Sequence, residues 1–241
     1  GDVTGDGHVD LVVGNLGLNT RLQASEREPV TMYVHDFDRN SFVEQVVATY
    51  SQGESRPLVL RDDLLRGLPF LKSRLLAYED YAGKSVTEVF TAEELAGALE
   101  RRAYTFASTL ARGDGRGGFT LEPLPREAQL APVYGILADD VDGDGRTDLL
   151  LAGNFDGLKP EIGRASASYG LLLRGDGGGR FTSVPATRSG FRVMGEARDI
   201  RRLRAPAGAL YVVARNDDRP LLFRRAGSGA RVIARGATSP H

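Results

Sequence analysis

The sequence predicts a mostly β chain: part of a β-propeller, about three to four blades, with a helical insertion. Three observations lead there: segments recurring at a fixed offset, two strand hairpins inside each recurring unit, and helix signals confined to one stretch. "RGDGRGGF" at 112–119 returns as "RGDGGGRF" at 174–181, and the same offset of 62 carries "LLLAGN" (149–154) onto "YVVARN" (211–216). Two segments sharing one spacing define a unit, with 127–188 and 189–241 as its clearest copies. A third copy lies at the start, where "DVTGDGHVDLVVGN" (2–15) matches "DVDGDGRTDLLLAGN" (140–154) with one residue deleted late in the strand. Its offset of 138 is two units and 14 further residues, so something is inserted between them.

Within a unit, 133–139 and 148–153 are apolar runs around a Gly/Asp-rich turn, and 169–173 and 181–184 flank a second Gly-rich turn. Four strands in about 60 residues, in tandem, match a propeller blade. The runs LVV, LLL and YVV suit strands buried on both faces. The insertion, residues 61–101, reads as helical. Pro69 is placed as a first helical residue, Phe70, Leu71, Arg74, Leu75 and Tyr78 follow at helical spacing, and Gly83 ends the run. Thr91 with Glu94 forms a capping box ahead of Leu95, Ala98 and Leu99. Such an excursion is expected to cover an otherwise exposed sheet edge, with a lid or docking element as the alternative.

Composition limits the rest. The 241 residues are 41% hydrophobic, enough for a core, and 31 basic against 32 acidic residues give a net charge of -1, so no global field points to nucleic acid or anionic lipid. Cysteine is absent, which excludes disulfides, thiolate metal sites and a cysteine nucleophile. No apolar stretch approaches the roughly 20 residues of a membrane helix. The chain opens partway through a motif at Gly1, and is expected to be a piece of something longer.

Asp140, Asp142, Asp144 and Asp148 occupy positions one, three, five and nine of a loop, with Gly143 and Gly145 allowing it to fold tightly. Carboxylates so close repel unless a cation sits among them, and oxygen-only donors on a flexible loop favour Ca²⁺, with the Arg146 carbonyl expected at position seven. An EF-hand would need Glu at position twelve, where Leu151 stands. The first copy offers Asp2, Thr4, Asp6 and Asp10 with the His8 carbonyl, one carboxylate poorer. A looser third version, "DFDRNSFVE", places Asp36, Asp38, Asn40 and Glu44 at the same positions without the glycine after Asn40. Two calcium sites are expected, and a third is open. Carrying the period forward lands on Arg202, Arg204, Pro206 and Leu210, so that unit keeps its strands without a cation loop. The ion is therefore expected to serve single hairpins.

The loops DVTGDGHVD and DVDGDGRTD, the VVGN and LLAGN that follow, and the Gly-rich turns ending at Phe119 and Phe181 resemble the FG-GAP/VCBS repeats of integrin α-subunit heads and bacterial secreted proteins. "PFLKSRLLAYEDYAGKSVTEVF" also resembles the insert of the UnbV and cartilage-acidic-protein group. The resemblance implies a seven-bladed propeller, calcium in the acidic loops and an extracellular or periplasmic setting. Its ligand positions fall on Asp140, Asp142, Asp144 and Asp148, and less cleanly on Asp2, Thr4, Asp6 and Asp10. The function expected is a non-catalytic, calcium-stabilised binding or adhesion module for a protein or glycan ligand, its remaining blades supplied by missing chain. The alternative is the propeller of a secreted polysaccharide lyase or hydrolase, for which His8, His35, His241 and the pairs Glu79/Asp80 and Glu196/Asp199 are thin candidates. Arginine-rich stretches at 198–204 and 215–225 carry no aromatic but Phe223, too few to offer stacking platforms, which argues against nucleic acid. The two RGD tripeptides fall where a turn wants Gly-Asp-Gly.

Overall fold

The structure, a computed structural model, describes residues 1–158, 163–206, 208–225 and 232–235. The chain is mostly β, with four antiparallel sheets among the described residues, none of them closed on itself. It divides into two compact units, one of residues 1–21 and 107–241, the other of residues 22–106.

In the first unit, β1 (Leu11–Val13) pairs with β6 (Thr109–Gly113), which pairs with β7 (Phe119–Pro123). The next sheet is an up-and-down meander of β8 (Val133–Asp139), β9 (Asp148–Gly153), β10 (Leu171–Gly175) and β11 (Phe181–Val184). A second meander follows: β12 (Ala197–Ala205), β13 (Gly208–Arg215), β14 (Leu221–Arg225) and β15 (Val232–Arg235). Each expected unit, 127–188 and 189–241, thus holds one four-stranded meander.

The sheets are stacked through β9, every residue of which is buried. Because side chains alternate along a strand, Leu149 and Leu151 face one way and Leu150 and Ala152 the other. Leu149, Leu151 and Leu173 meet Leu110 of β6 with Val3, Leu124 and Ala128. Leu150, Ala152 and Leu172 meet Ile200, Tyr211, Val213 and Phe223 of the last sheet, with Phe191 and Phe223 rings 4.8 Å apart. The expectation of two-face burial holds for LLL and fails for LVV. Leu11 and Val13 are 46% and 45% exposed, because only Val12 turns toward the core.

In the second unit the sheet order is β4 (Glu54–Pro57), β3 (Glu44–Ser51), β2 (Val30–His35) and β5 (Leu99–Ala103). Val46 and Ala48 of β3 form a core with Leu64, Leu65, Leu68, Leu71, Leu75, Val86, Val89 and Phe90, so the helical stretch covers a sheet face. That stretch is a series of short pieces: α1 (Arg61–Gly67), 3-10 turns at Pro69–Ser73 and Tyr78–Asp80, α2 (Val86–Val89) and α3 (Ala92–Leu95). The long helix expected from Pro69 to Gly83 does not form. The Arg61 guanidinium takes the carbonyls of Leu75 (3.0 and 2.5 Å) and Leu76 (2.7 Å), the acceptors a continuing helix would have used. The capping box at Thr91 is present: Glu94 N–H donates to Thr91 Oγ1 (3.2 Å), and Thr91 N–H to Glu94 Oε2 (2.9 Å). Residues 99–101, expected to be helical, instead begin β5 and pair with β2.

Candidate metal centre

Between β8 and β9, Asp140, Asp142 and Asp148 each bring a carboxylate oxygen within 4.8 Å of the others. Backbone donors fix the loop. Asp140 accepts from Gly143 N–H (2.5 Å) and Gly145 N–H (3.1 Å), Asp142 from Asp144 N–H (3.1 Å), and Asp144 from Arg146 N–H (2.9 Å). Asp148, fully buried, accepts from Val141 (3.0 Å) and Asp142 (3.3 Å) through one oxygen and from Gly175 (3.0 Å) through the other. Asp144 lies outside the convergent trio and leans on Arg146, 3.9 Å from its guanidinium.

The 2–10 loop repeats this circuit. Asp2 accepts from Gly5 (2.7 Å) and Gly7 (3.0 Å), Asp6 from His8 N–H (2.9 Å), and Asp10 from Val3 (3.0 Å), Thr4 (3.0 Å) and Gly113 (3.0 Å). Among the described residues Asp2, Asp6 and Asp10 form no such convergent trio. Thr4, standing where the other loop has Asp142, is 4% exposed, and its Oγ1 has no hydrogen bond of ordinary geometry among the described residues.

In the second unit Asp36, Asp38 and Glu44 converge within the same 4.8 Å. Asp36 accepts from Asn40 (2.9 Å) and Ser41 (2.8 Å), and Glu44 from Phe37 N–H (3.1 Å). Asn40 spends its side chain inside the loop, donating to Asp38 (2.9 Å) and accepting from Phe42 N–H (2.7 Å). Positions four and six take positive φ in all three loops: +73° and +86° at Gly5 and Gly7, +81° and +84° at Gly143 and Gly145, +59° and +72° at Arg39 and Ser41. The loop conformation therefore survives without its glycines, at a cost of about 1 kcal/mol for a residue with a Cβ. Arg39→Gly is accordingly expected to raise unfolding free energy in urea by about 1 kcal/mol. The Arg39–Glu93 pair it removes is 3.6 Å apart with both side chains open to water, so it offsets little. No gain would mean that the φ is not native.

Charge separates the loops as well. Burial pushes the Asp148 carboxyl above the usual carboxylate range and the Asp142 charge adds to that, against lowering by the Gly175, Val141 and Asp142 N–H groups. Burial also raises Asp10, but hydrogen bonds from Gly113, Val3 and Thr4 N–H outweigh it and hold that carboxyl below the usual range. The 140–148 loop thus has negative charge that its own donors do not settle. Oxygen-only donors, two carboxylates beside a buried third, and a tight backbone fit a hard divalent cation.

Three of the enzyme candidates, Glu196, Asp199 and Asp80, find structural partners. Glu196 accepts from Asp156 N–H (2.5 Å), Asn216 (2.9 Å) and Arg198 (2.7 Å) and is held below the usual carboxylate range by them, first by the Asp156 N–H. Asp199 pairs with Arg201 at 2.7 Å and Asp80 caps its own turn at Ala77 (2.7 Å), while His241 lies outside the described residues. Residues that the repeat does not reveal sit at the sheet junctions. Asp139 accepts from Arg202 and Tyr211, both at 2.9 Å, and buried Asn154, at φ +81°, donates to the carbonyls of Ser168 (2.8 Å) and Gly195 (2.9 Å). The "GN" ending of the strand motif marks Asn154, and nothing in the motif marks Asp139. Comparisons with family models, curated proteins and solved structures return no match to this chain. Among the described residues no helix is long and apolar enough to cross a membrane.

Proposed function

We propose that the chain is a calcium-stabilised, non-catalytic binding module of FG-GAP/VCBS propeller type, working outside the cell or in the periplasm on a protein or glycan ligand. The observation that supports it best is the shared hydrogen-bond circuit of the 2–10 and 140–148 loops, with convergent carboxylates in the second. Up-and-down meanders stacked face to face are the arrangement of propeller blades. Pairing of Leu11 with Ala111 repeats that of Leu149 with Leu173, so the half-exposed face with Leu11, Val13 and Leu121 corresponds to one that is buried in the next sheet. A further blade packed there would continue the ring.

Thermal melts in 1 mM calcium and in EDTA test the reading. With a dissociation constant of about 0.1 mM, linkage adds roughly 1.4 kcal/mol per site, a rise of about 3–6 °C for a domain of this size. Asp142→Asn, which leaves the backbone circuit of Asp140 and Asp148 in place, is expected to remove the share of the 140–148 loop. Identical melts in calcium and EDTA, with no heat on titration, would sink the proposal.

A further inference from the structure

In the first unit each acidic loop touches the next sheet, and the 140–148 loop also closes the β8–β9 hairpin. The 2–10 loop lies on the β10–β11 turn: a Cβ on Gly5 would come 2.8 Å from the Gly177 carbonyl, and one on Gly179 would come 2.9 Å from Thr4 Cγ2 and 2.4 Å from Arg112 Nη2. Arg112, from β6, donates to the Gly178 carbonyl in that turn (3.0 Å). The 140–148 loop meets its neighbour through an arginine on the opposite side. Arg225, ending β14, donates Nη2 to the Asp142 carbonyl (2.6 Å), and its guanidinium fills the space of a side chain on Gly143, where a Cβ would lie 1.7 Å from Nη2. Its Nε is closed off from water without a hydrogen-bond partner among the described residues. At the loop's entrance, Asp139 ties β8 to Arg202 of β12 and Tyr211 of β13.

We infer that the acidic loops are joints between successive sheets, and that cation occupancy of the 140–148 loop is coupled to docking of the β12–β15 sheet through Arg225 as positioning residue. This rests on the cation reading of that loop. A cation that fixes Asp142 fixes the carbonyl that Arg225 grips, and by linkage a docked Arg225 holds the loop ready for the cation. A two-sheet site explains why Gly143 faces the Arg225 side chain, from a strand of the next sheet.

The probe is calcium chloride, read by calorimetry and by hydrogen exchange. In the unaltered protein calcium is expected to slow exchange in β12–β14 as well as in β8 and β9. Arg225→Met should weaken calcium binding about tenfold and confine the protection to β8 and β9. Arg225→Lys, which keeps the charge, should resemble Met, since it lacks the planar guanidinium that fills the space over Gly143. Unchanged affinity and protection in both variants would overturn the inference, as would tighter binding, the mark of a cation that merely repels calcium. A metal-free arm separates the two readings. In EDTA, Gly143→Ala should lower the melting temperature much less in the Arg225→Ala background than in the parent, and equal drops would refute the joint. Absence of any calcium heat would refute the cation coupling and the proposed function together, while unequal drops would still establish the joint.

Discussion

Asp148→Ala is expected to destabilise the metal-free protein by about 4 kcal/mol, read as urea unfolding free energy. The carboxylate is fully buried at the start of β9 and accepts three backbone N–H groups, from Val141, Asp142 and Gly175. Alanine leaves all three without a partner in the interior, at about 1–3 kcal/mol each before relaxation. Two of them belong to the loop and the third to β10, so the loss reaches the loop and the strand pair together. Part of the cost is returned, since the buried charge beside Asp142 disappears. Asp148→Asn separates these contributions. It keeps one acceptor oxygen and removes the charge, so it should lose roughly half as much in EDTA while failing to gain from calcium. A loss below about 1 kcal/mol for the alanine variant would show that water reaches the freed donors and that the burial is not native.

Asp148 also shows how much was legible. A carboxylate opening an apolar strand, in a loop recurring at fixed spacing, placed β8, β9 and β11 at their observed bounds, because repeat and alternation agree there. Agreement fails in two kinds of place. Strands β2 to β5 have no counterpart at the 62-residue offset, so repeat logic passes over them, although VTMYVH and EQVVATYS alternate well enough to be read alone. The excursion at 61–101 follows tertiary demands: Arg61 claims carbonyls 14 and 15 residues on, and β5 completes a sheet with β2.

The site was legible in its residue types and not in its convergence. Spacing alone ranks the 2–10 loop above the 36–44 loop, yet the second brings three carboxylates together and the first does not. Thr4 removes a carboxylate from the one, while Glu44 reaches farther than Asp10 can in the other. The third loop lacks a glycine after Asn40, yet Ser41 adopts the same positive φ, with its N–H donated to Asp36. Asp139, Tyr211 and Arg225 were invisible for another reason. They meet only when two sheets stack, 63 to 83 residues apart in sequence, and no local pattern marks them.

Gly175→Ala is expected to cost about 3 kcal/mol or more, a large effect for one methyl group. Its φ is not left-handed, so backbone preference is not the obstacle. The obstacle is the Thr147 carbonyl, which would lie 2.1 Å from the new Cβ, with Phe181 at 3.3 Å behind it. Carbonyl oxygens of a hairpin cannot swing aside as a flexible side chain can, and Asp148 pulls Gly175 inward through its N–H. Gly113 repeats the arrangement: a Cβ there would lie 2.2 Å from the Val9 carbonyl, and its N–H donates to Asp10. This explains the RGD tripeptides without a receptor: the glycine lets β10 approach the acidic loop, and the Asp176 carboxylate is occupied by Gly178 N–H (2.8 Å) and Arg180 N–H (3.0 Å). Gly178→Ala is the control in the same turn. Its Cβ would meet nothing closer than 3.5 Å, so the change should stay within about 0.5 kcal/mol. Equal stabilities for the two variants would mean that the close approach of β10 to the loop, on which both the buried carboxylate and the sheet joint depend, does not exist in solution.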